Sequence, residues 1–254
     1  MQTIPDLSNF NPISLKGINS ISLMKRFDTK YVFHKNKLPD VLDFLKKHYS
    51  ILEMGNKRFF RYENIYLDTD EHQFYISHHN KKKNRHKVRV RKYLESQDCF
   101  LEVKFKNNKD RTIKKRIQIE ESKMTGDFIL GNKDFVENHL PREVCPIEKL
   151  YPSIHINFNR FTLANVSNKE RLTFDVGLEY YDSNSDIKVI DDLVIAELKQ
   201  EMVSRNSPVV EFFKNQNIRP AKFSKYCTGM LLIKDDIKYN RFKTRLNELE
   251  KYIA

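Results

Sequence analysis

The sequence predicts a mainly β protein with helices, built on an antiparallel sheet or barrel of eight strands. Three observations carry that expectation. Eight segments of the 254-residue chain read as strands, most of them alternating apolar and polar side chains with period two. Few of the gaps between the central segments are long enough for the helical crossover that parallel strands require. Only 6 Gly and 8 Pro are scattered along the chain, with no Pro/Gly/Ser-rich linker and no internal repeat, so one domain over residues 1–254 is expected.

Taken in order, residues 1–20 are rich in polar and turn residues and are expected to form a loose arm or a lead-in helix. Strands are expected at 23–34, 59–67, 86–95, 98–106, 111–120, 152–162, 170–180 and 188–200. Helical periodicity marks 38–48, part of 133–150, 207–215, 222–233 and 235–252, the last two lying in a C-terminal helical region over 222–254. Leu94-Glu95-Ser96-Gln97-Asp98-Cys99 and Asn107-Asn108-Lys109-Asp110 read as hairpin turns joining neighbouring strands. Ile237, Phe242, Leu246, Leu249 and Ile253 recur at helical spacing, which suits a helix covering the sheet or docking on another protein, a membrane protein included.

Composition narrows the function classes. With 46 Lys+Arg against 34 Asp+Glu the net charge is +12, which favours an anionic partner: nucleic acid, a membrane surface, a nucleotide or polyphosphate. No apolar run approaches a membrane span and the N-terminus lacks a signal-peptide pattern, so a cytoplasmic location is expected. Cys99, Cys145 and Cys227 are odd in number and far apart, without metal-ligand spacing, and are expected as reduced, buried thiols. The stretch His78-His79-Asn80-Lys81-Lys82-Lys83-Asn84-Arg85-His86 reads as a solvated loop between two elements.

The position of the charges within the strands is more informative. Arg85, Lys87, Arg89 and Arg91 share one face, with Val88 and Val90 on the other. Glu102, Lys104 and Lys106 oppose Leu101, Val103 and Phe105. Lys114, Arg116, Gln118 and Glu120 oppose Ile113, Ile117 and Ile119, with Lys115 as the one break. Arg171, Thr173, Asp175 and Glu179 oppose Leu172, Phe174, Val176 and Leu178. Arg26, Asp28 and Lys30 oppose Phe27, Tyr31 and Phe33, and Glu197 and Lys199 share a face. An antiparallel sheet with one wet face alternates in this way without any functional cause. Yet these polar faces are rich in long cations and poor in Ser and Thr, and amphipathic helices are available to cover the apolar faces. Both features suit a charged lining inside a barrel, able to take a polyanion together with a divalent metal.

Those segments resemble the polyphosphate-polymerase domain of the vacuolar transporter chaperone (VTC) family, a branch of the triphosphate tunnel metalloenzymes. The resemblance rests on Arg26-Phe27-Asp28-Thr29-Lys30-Tyr31, Tyr66-Leu67-Asp68-Thr69, Lys87-Val88-Arg89-Val90-Arg91, Leu101-Glu102-Val103-Lys104-Phe105-Lys106 and Thr112-Ile113-Lys114-Lys115-Arg116. It continues with Asn157-Phe158-Asn159-Arg160, Ala196-Glu197-Leu198-Lys199 and Lys222-Phe223-Ser224-Lys225-Tyr226, in family order across roughly 23–233. It implies a closed antiparallel eight-stranded β-barrel with helices outside, a C-terminal helical cap and a basic tunnel for ATP and inorganic polyphosphate.

By the same resemblance Lys104, Arg89, Arg91 and Lys225 would be catalytic, and Lys30, Lys114, Arg160, Lys199 and Ser224 would bind substrate. Glu197 would be the metal ligand for Mn²⁺ or Mg²⁺. Lys106, Arg116, Arg26 and Arg171 join the candidates through face-sharing alone. Two positions depart from the family pattern: Asp28 stands where tunnel enzymes more often have Glu, and Phe158 stands where the fungal polymerases have Tyr. The function implied is metal-dependent phosphoryl transfer from ATP to a growing polyphosphate chain. Its rivals are a triphosphatase of the same fold, a non-catalytic polyphosphate- or nucleotide-binding module, and a nucleic-acid binder. The last lacks a recognisable aromatic platform, so no nucleic acid is expected.

Overall fold

A computed structural model describes residues 5–19, 21, 27–109, 111–120, 129–202, 204, 206–249 and 252. The chain is mainly β, an antiparallel sheet with helices. It begins with β1 (Pro12–Ile13) and α1 (Leu15–Asn19), then β2 (Phe27–His34), α2 (Leu38–Leu45), β3 (Ser50–Leu52) and β4 (Phe60–Asp68). Next come α3 (Gln73–His79), β5 (Arg85–Tyr93), β6 (Asp98–Lys106), β7 (Thr112–Ile119) and α4 (Lys133–Glu137). The long strands β8 (Tyr151–Asn165) and β9 (Glu170–Tyr181) are followed by β10 (Lys188–Ile190) and β11 (Leu193–Gln200). Three helices finish the chain: α5 (Pro208–Asn215), α6 (Lys225–Ile233) and α7 (Lys243–Leu249). No described helix is long and apolar enough to cross a membrane.

Eight strands form a continuous path in the order β2-β11-β9-β8-β4-β5-β6-β7, every pair antiparallel. Among the described residues no ladder joins β7 to β2. The two expected hairpin turns lie between β5 and β6 and between β6 and β7, and Gln97 adopts a positive φ of 59° in the first.

The alternation read in the sequence sorts the side chains between two environments. Leu163, Leu172, Phe174, Ala196 and Leu198 pack under α2 and α5 with Val41, Leu45 and Phe213. Val88, Val90, Leu101 and Val103 pack under α3 and the 129–150 region with Phe74, Val136, Leu140 and Ile147. Burying these faces supplies most of the driving force, roughly 1.5–3 kcal/mol per large apolar side chain. On the opposite, charged face lies α6, whose Tyr226, Cys227 and Met230 meet Ile154, Ile156, Leu178, Tyr180 and Ile195.

Several expectations need correcting. His78 and His79 end helix α3, so the loop is confined to 80–84. Tertiary contact selects this seven-residue helix, because Phe74 and Tyr75 are buried and the Asp68 carboxylate accepts from both their N–H groups. Within residues 1–20 the lead-in helix is present as α1, but the segment before it is docked and not loose, since Leu7 and Phe10 enter the core beside α2 and β1 pairs with β3. Segment 188–200 divides at Asp191-Asp192 into β10 and β11. The expected helix over 235–252 is broken: a turn at 235–236 leads to a 3₁₀ turn at Asn240–Phe242 and then α7. Ile253 and Arg26 lie outside the described residues.

Glu179 does not share a face with Asp175. Between Asn157 and Asn159 the β8–β9 register shifts, and Gly177 takes φ 58°, a conformation suited to glycine. The bulge reverses the alternation beyond it. Glu179 turns away and pairs with Arg61, whereas Leu178 and Tyr180 turn toward α6.

Candidate functional site

The charged face is burdened with cations that are largely out of water. Arg89 and Arg91 are 6% and 8% exposed, and the Glu102 carboxylate between the strands is fully buried. Isolated charges do not survive in such a place, so each must be paired or perturbed. The register explains who meets whom: Arg89 stands opposite Glu102 on β6, Glu102 opposite Arg116 on β7, and Lys87 opposite Lys104, which faces Lys114.

Arg89 donates from Nε to Glu102 Oε2 at 2.6 Å and from Nη1 to the Tyr66 hydroxyl at 2.9 Å. Lys114 reaches the other carboxylate oxygen. Arg91 donates from Nε to Asn64 Oδ1 at 2.8 Å, and Asn64 is fixed in turn through Nδ2 to the Ile156 carbonyl at 2.8 Å. Burial alone would raise the Glu102 carboxyl, but Arg89, Arg91, Lys104 and Lys114 hold it far below the usual carboxylate range. Burial and the neighbouring Arg89 and Arg91 push the Lys104 ammonium well below its ordinary value, and only Glu102 opposes them. Lys114 and Lys87 are lowered as well, chiefly by burial.

A second cluster lies where α6 meets β8 and β9. Arg160 donates from Nε to Asp175 Oδ1 at 2.5 Å and from Nη2 to Oδ2 at 2.8 Å, and Lys225 from the first turn of α6 bonds the same carboxylate. Burial would raise Asp175, yet Arg160 and Lys225 hold it far below the carboxylate range. Lys225 itself is pushed down to about 8, mainly by burial. Tyr62 presents its ring to Arg160 at 5.0 Å and to Arg91 at 5.2 Å, so one aromatic face steadies two guanidinium groups. Phe158 lies 4.5 Å from Lys225 Nζ.

Ser224 caps α6 by accepting from the Cys227 N–H, and its hydroxyl also accepts from Lys87 Nζ at 3.0 Å. Helix and sheet are further tied by Tyr226, which stacks on Tyr66 at 4.9 Å and donates its hydroxyl to Asp68.

A third group occupies the β2–β11 wall. Lys30 lies 3.0 Å from Glu197, and Lys199 contacts Glu197 and, at 3.1 Å, Asp28. Asp28 and Glu197 are therefore bracketed on one wall by the same lysine. Among the described residues no group of three or more His, Cys, Asp or Glu comes together to hold a metal. A carboxylate pair fits Mg²⁺ or Mn²⁺ when phosphate oxygens complete the shell, because Mg²⁺ is commonly held by one or two carboxylates plus substrate phosphates.

The structure thus brings Arg89, Arg91, Lys104 and Lys114 into one cluster around Glu102, and Arg160 and Lys225 into another around Asp175, with Ser224 beside them. Lys30, Lys199 and Glu197 form the third. Lys106 stands opposite Arg85 toward one end of β6, and Arg116 lies exposed over the Phe100 ring at 4.4 Å on the outer strand β7. Both are peripheral to the three clusters. Arg171 pairs in register with Lys199. Sequence reasoning missed the site roles of Glu102, Asp175, Tyr62, Asn64, Tyr66 and Lys87. Face-sharing pointed to Glu102, Asp175 and Lys87, but only the register shows that the carboxylates hold the cations in place.

Residues 25–234 match the VTC domain. No curated protein matches the chain. Among solved structures, similarity is found to a proposed adenylyl cyclase from Hippeastrum described as having a dominant triphosphatase activity. The two are 15% identical with a TM-score of 0.53, over 84% of this chain and 98% of that one. A proposed adenylate cyclase from Vibrio parahaemolyticus is 13% identical with a TM-score of 0.45, over 79% of this chain and 95% of its own. A protein from Pyrococcus horikoshii is 8% identical with a TM-score of 0.44, over 81% and 98% of the two chains. The first of these shares the fold.

Proposed function

This chain belongs to the VTC domain family, and from that premise we propose that it transfers a phosphoryl group from ATP to the end of an inorganic polyphosphate chain. The observation that carries the reading is the cationic wall of buried Arg89 and Arg91 with half-buried Lys104 and Arg160, against which the described residues set the buried carboxylates of Glu102 and Asp175. A flexible polyanion would relieve that excess, and closure of the sheet into a tunnel would admit a linear one in preference to a duplex.

Phosphoryl transfer asks little covalent chemistry of a protein, and positioning plus charge stabilisation does most of the work. In the proposed reaction an oxygen of the terminal phosphate of the acceptor bonds to the γ-phosphorus as the bridging bond to ADP breaks. Arg89, Arg91 and Lys104 bind the non-bridging oxygens that carry charge in the transition state. Arg160 and Lys225 hold the end of the chain, and Lys30, Lys114 and Lys199 guide it. Glu197 with Asp28 would hold Mn²⁺ or Mg²⁺, which when bound neutralises charge on the phosphate oxygens. The acceptor is argued from the carboxylates: Glu102 and Asp175 are held ionised by their cations and are poor proton acceptors. An anionic phosphate needs no general base, whereas water does.

A triphosphatase is the second reading, favoured by the activity described for the Hippeastrum protein that shares the fold. The test is incubation with ATP and Mn²⁺, Lys104→Ala serving as control, with ADP, free phosphate and polyphosphate followed together. ADP with a polyphosphate ladder supports the polymerase, and ADP with equivalent free phosphate supports the triphosphatase. Polyphosphate binding that depends on Lys104 but yields no ADP would reduce the protein to a binding module.

A further inference from the structure

Folded proteins leave few buried hydroxyls without a partner, and each such group costs about 1–3 kcal/mol. The Tyr180 hydroxyl is one: the side chain is fully buried, and among the described residues its oxygen has no hydrogen-bond partner. Its position is not that of an ordinary core tyrosine. The bulge at Gly177 turns Tyr180 onto the charged face, where it stands in register with Ile156, which faces Asn64, which faces Arg91. Its ring passes directly beneath Gly229 of α6, so close that a β-carbon there would come within 2.5 Å of it. Burial, with smaller electrostatic contributions from Tyr66 and Asp175, pushes the ionisation of the phenol well above its ordinary value. It is therefore a neutral donor at working pH, set among the groups that hold Arg89 and Arg160.

A second hydroxyl of the same strand is in the same condition. Thr173 is 5% exposed, two residues before Asp175 and opposite Glu197, and its Oγ1 also lacks a partner among the described residues. Two unsatisfied hydroxyls flanking Asp175 on one strand are what a wall looks like when its acceptor is a ligand.

We propose that Tyr180 is a further substrate-binding residue whose hydroxyl donates to a non-bridging oxygen of the end phosphate, beside Arg160 and Lys225. The inference rests on the phosphoryl-transfer reading above. It adds a neutral donor beneath α6, and a neutral donor stabilises a phosphate oxygen without adding to the repulsion among Arg89, Arg91 and Arg160.

The test is Tyr180→Phe, which removes one oxygen and nothing else, measured for thermal stability and for binding of inorganic tripolyphosphate. Wild type and Lys104→Ala are measured in parallel. Because the hydroxyl has no partner among the described residues, the variant should melt at the wild-type temperature or above it. Its affinity for tripolyphosphate should fall about tenfold, as for loss of one hydrogen bond to a charged group. Unchanged affinity overturns the proposal, as does a melting temperature lowered by several degrees, which would give the hydroxyl a structural partner. Wild type that binds tripolyphosphate and Lys104→Ala that does not would leave the parent reading standing in either case. Failure of wild type to bind would remove both.

Discussion

Replacing Gly229 by alanine tests whether the seat of α6 controls the cluster around Asp175. A β-carbon at this position would meet Tyr180 Cδ1 at 2.5 Å and Ile154 Cδ1 at 2.6 Å, with Tyr180 Cε1 at 3.1 Å. Carbon atoms settle at about 3.5–4.0 Å, so the overlap is about 1 Å on two fronts. Tyr180 and Ile154 are both fully buried and have nowhere to swing, so the helix must back away from the sheet. Overpacking of this kind costs about 1–3 kcal/mol, and the better helix propensity of alanine returns up to about 1 kcal/mol. A net loss of roughly 1–2 kcal/mol corresponds to a fall of about 2–8 °C in melting temperature for a chain of this size. Lys225 lies one turn earlier on α6, so the same retreat draws its ammonium away from Asp175. A misplacement of about 1 Å can cost on the order of a hundredfold in rate. Melting by calorimetry and ATP turnover would be measured on the same preparation. A variant that melts as wild type and turns over at the wild-type rate would refute the claim that this contact seats the helix.

Three further outcomes are expected. Lys104→Met should raise the unfolding free energy measured in urea by roughly 0.5–2 kcal/mol while abolishing tripolyphosphate binding, because Arg89 and Lys114 still satisfy Glu102 when the crowded ammonium is gone. The lysine at 225, pushed down to about 8, is charged below that pH and neutral above it. Tripolyphosphate affinity should therefore decline as pH rises from 7 to 9 with proton uptake on binding, and calorimetry in buffers of different ionisation heat would detect it; Lys225→Met should flatten the profile. Asp68→Asn should destabilise by about 1–3 kcal/mol, read by urea denaturation. The carboxylate accepts from the N–H groups of Thr69, Phe74 and Tyr75 at 2.8–2.9 Å and from the Tyr226 hydroxyl, and an amide turns one acceptor into a donor facing them.

The period-two alternation of Val88, Val90, Leu101 and Val103 against Arg89, Arg91, Glu102 and Lys104 is a local property, so the sequence by itself determined the main strands, the two hairpins and the cationic face, but not the short β1 and β3 or the break between β10 and β11. Order and spacing of the motifs were enough for the family. Helices over 208–215 and 225–233 were equally legible, because their apolar periodicity is written in consecutive residues. Only the tertiary structure decided what depends on contact between distant segments. Helix α3 exists because Asp68 caps its N–H groups and the sheet buries Phe74, and neither signal is a helical one in sequence. Reversal of the β9 faces at Gly177 comes from a one-residue register slip against β8, and such a slip moves every later side chain to the other side. That slip sends Glu179 out to Arg61 and brings Tyr180 beneath α6. Pairing of Arg89 with Glu102 and of Arg160 with Asp175 follows from cross-strand register, and the seat of Lys225 follows from the docking of α6 through Tyr226. Charge could be read from the chain, but the partner of each charge could not, because partners are set by which strands lie side by side.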